Sequence, residues 1–304
     1  MPEFQLTTPV AFIIFNRPDT TERVFAEIAR ARPPKLLVVG DGARNNREGE
    51  NAKVAATRAI IDRVNWPCEV LTNYSEVNLG CKRRVSSGID WVFEQVEEAI
   101  ILEDDCLPHP TFFRFCEELL ERYRDDERIG MISGDNYQFG LSRTNNSYYF
   151  SRYNHIWGWA TWRRSWKKYD VEAKIWPTIR DDGWLKGLIR SPNEQAFWTR
   201  VFELVYQGKI DTWDYQWVLT SMAQGAISVT PNINLITNIG FGPDATHTHS
   251  VNAYSNMSVN EITFPLSHPN IILPNHSADN YVAKNQFMKK SLASRIWKKL
   301  NSFL

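Results

Sequence analysis

The chain has 304 residues, of which 43% are hydrophobic and 23% charged, and this ordinary globular composition can bury a full core. The 35 basic side chains are matched by 35 acidic ones, which argues against nucleic acid as a partner. The four cysteines have no spacing typical of a metal site, so we expect free thiols in a reducing cytoplasm. No apolar run approaches the roughly 20 residues that span a bilayer, and the first residues show no signal-peptide pattern.

Short apolar runs alternate with helical patterns through the first half of the chain. The runs at residues 10–15, 35–39, 68–71, 99–102 and 129–133 predict strands, and helices are expected around residues 24–28, 54–64, 85–96 and 111–123. Asp19 is expected to cap the first helix, with Glu22 completing a capping box. Alternation of this kind implies right-handed crossovers, so the predicted fold class is α/β with a doubly wound, largely parallel mixed sheet.

Tryptophans crowd the second half, where the helical periodicity weakens; seven of them fall between residues 157 and 198. Helices are expected over residues 193–206 and after residues 211–214, and residues 231–242 predict a loop or a short strand. Aromatic faces can stack on sugar rings, but they are also ordinary core material. We expect this half to complete the same domain and to line one side of its site.

The strand at residues 99–102 runs directly into three carboxylates, Glu103, Asp104 and Asp105. Adjacent carboxylates repel one another, and a fold keeps such a cluster mainly when a cation neutralises it. Because side chains alternate along a strand, Glu103 and Asp105 are expected to face one way and Asp104 the other. Water and substrate phosphates would then complete the coordination of Mg²⁺ or Mn²⁺. The alternative is a solvated acidic turn before the helix that Pro108 and Pro110 open.

Polar residues also follow the first two predicted strands. Arg17 lies after the first strand, and Asp41 follows the second within Gly-Asp-Gly. Since parallel strands end at one edge of a sheet, we expect both side chains to join the acidic cluster in a nucleotide site. Lys82, near the start of a later helix, could reach a diphosphate. Taken singly, each of these residues is also typical of a turn or of a solvated helix start.

The last twenty residues combine basic and apolar positions. The basic residues of this segment alternate with apolar residues that fall on one helical stripe; they are Lys284, Lys289, Lys290, Arg295, Lys298 and Lys299. A basic amphipathic helix is typical of a membrane surface, so residues 284–304 predict a cytoplasmic protein that is peripheral on the inner face of the membrane. The alternative is a helix that docks on its own domain or on a protein partner.

Four stretches, in this order, resemble motifs of one enzyme family. They are EDDCLPHPTFF at residues 103–113, ISGDN at 132–136, WGWATWRRSW at 157–166 and WDYQW at 213–217. Through them the chain resembles the GT-A glycosyltransferases, which use nucleotide-diphosphosugars, and in particular N-acetylglucosaminyltransferase I and its bacterial relatives. The resemblance extends over residues 9–250 and leaves the basic C-terminal segment outside.

The resemblance implies a GT-A domain over residues 1–250, with a nucleotide-binding half at about 9–145 and an acceptor-side half at about 146–250. Residues 251–304 are then a C-terminal extension that ends in the basic helix. The implied activity is transfer of a sugar from a nucleotide-diphosphate donor, with a UDP-sugar favoured, to a hydroxyl of a glycan or other acceptor. Mn²⁺ or Mg²⁺ is the implied cofactor. An inverting mechanism is expected, and a retaining one stays open.

The resemblance also implies roles for donor-side residues. Asp105 matches the direct metal ligand, whereas Glu103 and Asp104 match contacts to the donor sugar and the ribose. Asp41 matches the acid that hydrogen-bonds the nucleotide base, and Arg17 matches a basic residue beside it. These assignments make the edge of the sheet a nucleotide-sugar site.

On the acceptor side, Asp214 matches the catalytic base of the family. The family has a second acid directly after this base, where the chain has Tyr215. His247 or His249 matches a late histidine that reaches the metal or the diphosphate. Of the two, His247 is taken as the candidate metal ligand.

The sequence leaves two other functions open. A sugar-1-phosphate nucleotidyltransferase would need a glycine-rich phosphate loop after the first strand, where the chain has Asn16-Arg17-Pro18. A catalytically silent carbohydrate-binding protein could use the tryptophans as platforms, but it would need neither the acidic cluster nor Asp41. Metal-dependent nucleotide binding separates a transferase from such a binding protein.

Overall fold

The computed structural model of the chain describes residues 4–241 and 256–287. Its strands are β1 (Val10–Ile14), β2 (Lys35–Gly40), β3 (Glu69–Tyr74), β4 (Glu98–Glu103), β5 (Cys106–Pro108), β6 (Ile129–Ser133), β7 (Tyr148–Ser151), β8 (Trp159–Trp162), β9 (Ile227–Pro231) and β10 (Ile236–Asn238). Its α-helices are α1 (Pro18–Ala31), α2 (Glu50–Ala59), α3 (Gly80–Gln95), α4 (Thr111–Arg122), α5 (Arg163–Trp166), α6 (Trp176–Asp181), α7 (Leu185–Leu188), α8 (Pro192–Tyr206), α9 (Asp214–Gln224) and α10 (His276–Val282). A 3₁₀ turn spans Ile61–Arg63, and a π-helical turn spans Ala283–Phe287.

Within the described residues, eight of these strands form one sheet in the order β3-β2-β1-β4-β8-β6-β9-β7. Strands β3, β2, β1 and β4 are parallel to their neighbours in this series, and β6 is parallel to β9. Strand β8 is antiparallel to both β4 and β6, and β7 is antiparallel to β9. Strands β5 and β10 form a separate antiparallel pair. The predicted α/β fold class with a mixed sheet is confirmed.

Helices cover both faces of the sheet around β1, β2 and β4, which is why these strands are built mainly from apolar residues. In β1, Val10 and Phe12 pack into the cluster that contains α1 and α4, whereas Ala11 and Ile13 pack into the cluster that contains α3 and α9. Alternate residues of a strand point to opposite faces, so one apolar run serves two cores. The doubly wound arrangement is therefore confirmed.

Local structure departs from the sequence prediction at two places. The predicted capping box is wrong: α1 begins at Pro18, with Arg17 at the N-cap position and Asp19 inside the first turn. Proline has a fixed φ and no N–H, so it favours the first helical position. The helix expected around residues 54–64 ends at Ala59 and continues as the 3₁₀ turn.

A second core, rich in aromatic residues, lies beneath helices α6, α8 and α9. Trp176 and Trp198 are fully buried there, and Phe287 of the π-helical turn packs on Trp198 with ring centroids 4.8 Å apart. Asp279 of α10 is buried and accepts a 2.6 Å hydrogen bond from Ser151 Oγ. Residues 256–287 therefore pack against the domain.

None of the helices within residues 4–241 and 256–287 is both long and apolar enough to cross a membrane.

Candidate functional site

A cavity of about 570 Å³ lies at the carboxyl ends of β1, β2 and β4. Strand β1 is paired with β2 on one side and with β4 on the other, and the chain reaches them by crossovers in opposite directions. Ligands of open α/β sheets bind at such a switch point. Six of the predicted site residues line the cavity: Arg17, Asp41, Glu103, Asp104, Asp105 and Asp214.

The two other predicted residues are placed differently. Lys82 is not part of the cavity lining, and its Nζ forms a 2.8 Å ion pair with Glu172. His247 lies outside the described residues, as do His249 and most of the basic C-terminal segment. Their assignments stay predictions.

The acidic cluster is tied to the loop that follows β1. Strand β4 ends at Glu103, and Asp104 and Asp105 form a turn before β5, so the expected strand alternation does not extend to them. Asp104 Oδ2 accepts a 2.9 Å hydrogen bond from Phe15 N. Asp105 Oδ2 lies 2.6 Å from Arg17 Nη1. These two contacts join the ends of β1 and β4 across the switch point.

Negative charge exceeds positive charge in this cluster. Burial and repulsion from Asp105 and Asp104 raise the pKa of Glu103 to about 8, while Arg17 opposes the rise. Burial and repulsion from Asp105 likewise raise the pKa of Asp104 to about 7. Carboxylates whose pKa values are raised in this way gain from an added cation, because the cation favours their charged form.

The donor atoms suit a hard divalent cation, since carboxylate oxygens are the ligands that Mg²⁺ and Mn²⁺ prefer. Asn238 adds an amide near Asp105, with Nδ2 3.4 Å from Oδ1. Within residues 4–241 and 256–287, however, no three His, Cys, Asp or Glu side chains are already arranged to hold a metal. The cluster therefore fits such a cation in charge and donor type, and further ligands would come from a substrate.

Asp41 connects the end of β2 to the start of α3. Its two carboxyl oxygens accept hydrogen bonds from the backbone nitrogens of Gly42, Leu79 and Gly80 and from the Asn78 amide, at 2.9–3.1 Å for the shortest contact with each. Burial raises the pKa of Asp41, although the Leu79, Gly42 and Gly80 N–H groups oppose this. Asp41 thus stabilises the turn after β2, a role that its Gly-Asp-Gly sequence also indicated, and it borders the cavity as well.

A second carboxylate, which no local sequence pattern marks, lies at the start of the same helix. Asp211, in the loop before α9, accepts hydrogen bonds from Cys81 N at 3.2 Å and from Lys82 N at 3.0 Å. Asp41 and Asp211 together satisfy the first N–H groups of α3, which would otherwise lack partners. The start of α3 is therefore held from both sides of the cavity.

Asp214 is the first residue of α9, and its Oδ1 accepts a hydrogen bond from Thr212 Oγ1. Its charge contributes to the raised pKa of Glu103, so the two carboxyls face the same space. The preceding Trp213 is buried and stacks on Trp159, with ring centroids 5.6 Å apart. Trp213 is therefore a core residue and not a platform for a sugar ring, whereas Asp214 itself lines the cavity.

Comparison with known proteins gives a likeness in fold. No family model and no curated protein matches the chain. One similar solved structure is S. aureus TarS 1–349, with a TM-score of 0.41 and 10% identity, covering 76% of this chain and 59% of that one. Another is the inositol-1-phosphate CTP transferase from T. maritima, with a TM-score of 0.37 and 10% identity, covering 75% and 86% of the two chains. This chain thus spans less than two thirds of the TarS structure.

Two charged residues, Glu50 and Arg44, lie at the edge of the cavity beside the end of β1. Glu50 is buried and accepts hydrogen bonds from Arg44 N at 2.6 Å and from Asn16 Nδ2 at 2.9 Å. The guanidinium of Arg44, which lines the cavity, lies 5.4 Å from the centroid of the Phe15 ring. A rigid cation and an aromatic face at this edge can bind phosphates or a planar base.

Proposed function

We propose that the chain is a metal-dependent, inverting glycosyltransferase that moves a sugar from a nucleotide-diphosphate donor to a hydroxyl of an acceptor. One observation carries the proposal: Asp214 borders the same strand-end cavity as the acidic cluster formed by Glu103, Asp104 and Asp105. A transferase of this type needs a cation-binding group at the leaving diphosphate and a base at the attacking hydroxyl. Both kinds of carboxylate border this cavity.

The donor occupies the side of the cavity formed by β1, β2 and β4. A volume of about 570 Å³ is typical of small-molecule sites. Asp41 and Arg17 bind the nucleotide, Glu103 and Asp104 contact the donor sugar and ribose, and Lys82 reaches the diphosphate by leaving Glu172. We favour a UDP-sugar as the donor.

Asp105 would hold the divalent cation, Mn²⁺ or Mg²⁺. When bound, that cation neutralises charge on the departing nucleoside diphosphate. Asp214 accepts the proton of the acceptor hydroxyl as its oxygen attacks the anomeric carbon. The bond to the diphosphate breaks on the opposite face of the sugar, so the configuration inverts. No protein nucleophile is needed.

The acceptor, a glycan or another hydroxyl compound, enters beside Asp214. Trp157 and Tyr215 line the cavity, and each retains some exposure. Aromatic faces there can pack against an apolar face of a sugar ring. The family's second acid is replaced by Tyr215, so this chain would bind its acceptor with a hydroxyl in place of a carboxylate.

The alternative functions receive less support from the site. A nucleotidyltransferase needs a glycine-rich loop after β1, but in the described chain β1 leads through Phe15-Asn16-Arg17 directly into α1. A carbohydrate-binding protein needs exposed aromatic platforms. Trp159, Trp176, Trp198 and Trp217 are fully buried, and Trp184, which is 57% exposed, does not line the cavity. Such a protein would also have no need for the acidic cluster or for Asp41, both of which line the cavity.

A thermal-shift screen of nucleotide-sugars with and without Mn²⁺ tests the proposal. A true donor binds only the folded protein and therefore raises its melting temperature. At a donor concentration a hundred times the Kd, the free energy of unfolding increases by roughly 2.7 kcal/mol. The product assay then follows: when an acceptor is supplied, a glycosyltransferase releases a nucleoside diphosphate from the stabilising donor. A nucleotidyltransferase does not do so, and instead releases pyrophosphate when it is given a nucleoside triphosphate and a sugar-1-phosphate. Stabilisation by free sugars alone, independent of Mn²⁺, would contradict the proposal and favour a carbohydrate-binding protein.

A further inference from the structure

Arg17 and Asp105 form an ion pair across the switch point of the sheet. Arg17 Nη1 lies 2.6 Å from Asp105 Oδ2, and the two side chains are only 18% and 17% exposed. Arg17 follows β1, and Asp105 follows β4, so the pair spans the crevice in which a donor diphosphate would lie. The carboxyl proposed to hold the divalent cation therefore already has a positively charged partner.

The chain after β10 covers this ion pair. Ile239 N donates a 2.8 Å hydrogen bond to the backbone oxygen of Asp105. At Gly240, a Cβ atom would lie 2.0 Å from Asp105 Oδ2 and 2.5 Å from Arg17 Nη1, so the backbone packs directly on both groups. Gly240 therefore limits access to Asp105 Oδ2 from one side, and the Arg17 N–H group occupies another. A cation that binds at this oxygen would compete with Arg17.

We propose that Arg17 is the internal counter-cation of the acidic cluster, and that it competes with the divalent cation for Asp105. While the donor site is empty, the guanidinium neutralises Asp105. When metal and nucleoside diphosphate bind together, the guanidinium leaves Asp105 and pairs with phosphate oxygens, for which its planar N–H groups are well suited. This inference rests on the proposed function and explains how binding of the metal at that site depends on the nucleoside diphosphate.

Competition of this kind couples the two ligands. A divalent cation alone must displace a positive charge from a partly buried carboxylate and remain beside it, which Coulomb repulsion disfavours. A diphosphate gives the displaced guanidinium a new partner, so each ligand strengthens the binding of the other by the same factor. The expected behaviour is weak binding of the metal alone and tight binding of metal with nucleoside diphosphate.

Titration of Mn²⁺ followed by electron paramagnetic resonance tests this on the full chain. Arg17→Gln removes the competing charge, so Mn²⁺ without nucleotide should bind at least about tenfold more tightly than to wild type, equivalent to roughly 1.4 kcal/mol. At saturating Mn²⁺, the affinity for UDP should fall, because the phosphate partner is lost. A variant that is merely damaged would lose both affinities, so the opposite signs identify competition.

Two further variants sharpen the test. Arg17→Lys keeps the charge and should bind Mn²⁺ alone as weakly as wild type. In the Asp105→Asn background, Arg17→Gln should no longer raise the Mn²⁺ affinity, because the group for which they compete is gone. Circular dichroism confirms that each variant is folded.

The outcomes separate this inference from the proposed function. Unchanged or weaker Mn²⁺ binding by Arg17→Gln, with metal-dependent UDP binding intact in wild type, overturns the competition and leaves the transferase proposal standing. The same tenfold gain in the Asp105→Asn background also overturns it, because Arg17 would then act on another group. If neither wild type nor Arg17→Gln binds Mn²⁺, with or without UDP, the metal-dependent function fails and the inference fails with it.

Discussion

Asp41 Oδ1 lies 2.9 Å from the backbone nitrogen of Leu79, so the turn after β2 holds the residue that precedes helix α3. The same carboxyl accepts a hydrogen bond from Gly80 N at 3.1 Å. A carboxylate at this position is favoured by the helix dipole as well as by the hydrogen bonds. Any change at Asp41 therefore affects the local fold and the edge of the cavity together.

The first prediction uses that double role. Asp41→Ala removes a buried carboxylate that accepts hydrogen bonds from the N–H groups of Gly42, Leu79 and Gly80. The free energy of unfolding should therefore fall by about 1–3 kcal/mol, and UDP affinity should weaken by a similar amount. Asp211→Ala is the matched control, since it removes the cap from the next two N–H groups of α3. It should cost stability with little effect on UDP. Chemical denaturation and calorimetry measure the two quantities, and equal UDP affinity in both variants would make Asp41 a turn residue only.

The second prediction concerns the packing of α3 on β2. At Gly88 a Cβ atom would lie 2.3 Å from Val39 Cγ1, and Val39 is fully buried. Gly88→Ala should therefore destabilise the protein by about 1–3 kcal/mol through overpacking. Gly187 of α7 has no neighbour within 4 Å of such an atom, so Gly187→Ala should be neutral or should stabilise by up to about 1 kcal/mol. Denaturant midpoints compare the two, and equal midpoints would refute this account of the α3–β2 contact.

Strands buried on both faces were the easiest elements to predict from sequence. The strand at residues 129–133 has the predicted bounds, and β1 and β2 differ from their predictions by one residue at the carboxyl end. Strand β8 was missed because its sequence, Trp-Ala-Thr-Trp, lies in a tryptophan-rich stretch without a clear period. It joins the sheet between β4 and β6 through long-range pairing, which no local pattern encodes.

The same distinction applies to the site. Arg17, Asp41 and the acidic cluster were predicted to meet because parallel strands end at one edge, and this rule needs only the strand positions. The capping contact of Asp211 with Lys82 joins residues 129 positions apart, so it follows from the tertiary fold alone. Glu50 was missed for another reason: an acid at a helix start is ordinary, and only its burial marks it.

The third prediction concerns the basic C-terminal segment. We expect the full chain to bind anionic lipid vesicles, and this binding should fade as salt is added. A chain that ends at Phe287 keeps the packing of that ring on Trp198, so it should fold normally while losing vesicle binding. Activity on a soluble acceptor should remain. Co-sedimentation with anionic and neutral vesicles measures the effect, and equal binding by both chains would refute membrane anchoring by residues 288–304.

The fourth prediction separates a transferase from a nucleotide-binding protein. Asp214→Asn preserves the shape of the side chain and can still accept a hydrogen bond from Thr212, but it cannot take a proton at neutral pH. A positioned general base typically contributes about 10²–10⁴-fold in rate, so kcat should fall by that factor. The affinity for donor and Mn²⁺ should stay near wild type, because the lost interaction acts in the transition state.

Asp211→Asn provides the matched control for this fourth prediction, because it removes a carboxylate from the same loop and the same cavity wall. Asp211 is engaged by the backbone nitrogens of Cys81 and Lys82, and an asparagine can still accept one of these hydrogen bonds. It should therefore keep its kcat. Glycosyl transfer and donor binding are measured on the same preparation of each variant. An Asp214→Asn enzyme that turns over at wild-type speed would show that this carboxylate only stabilises the start of α9, and the base would then have to be another acid.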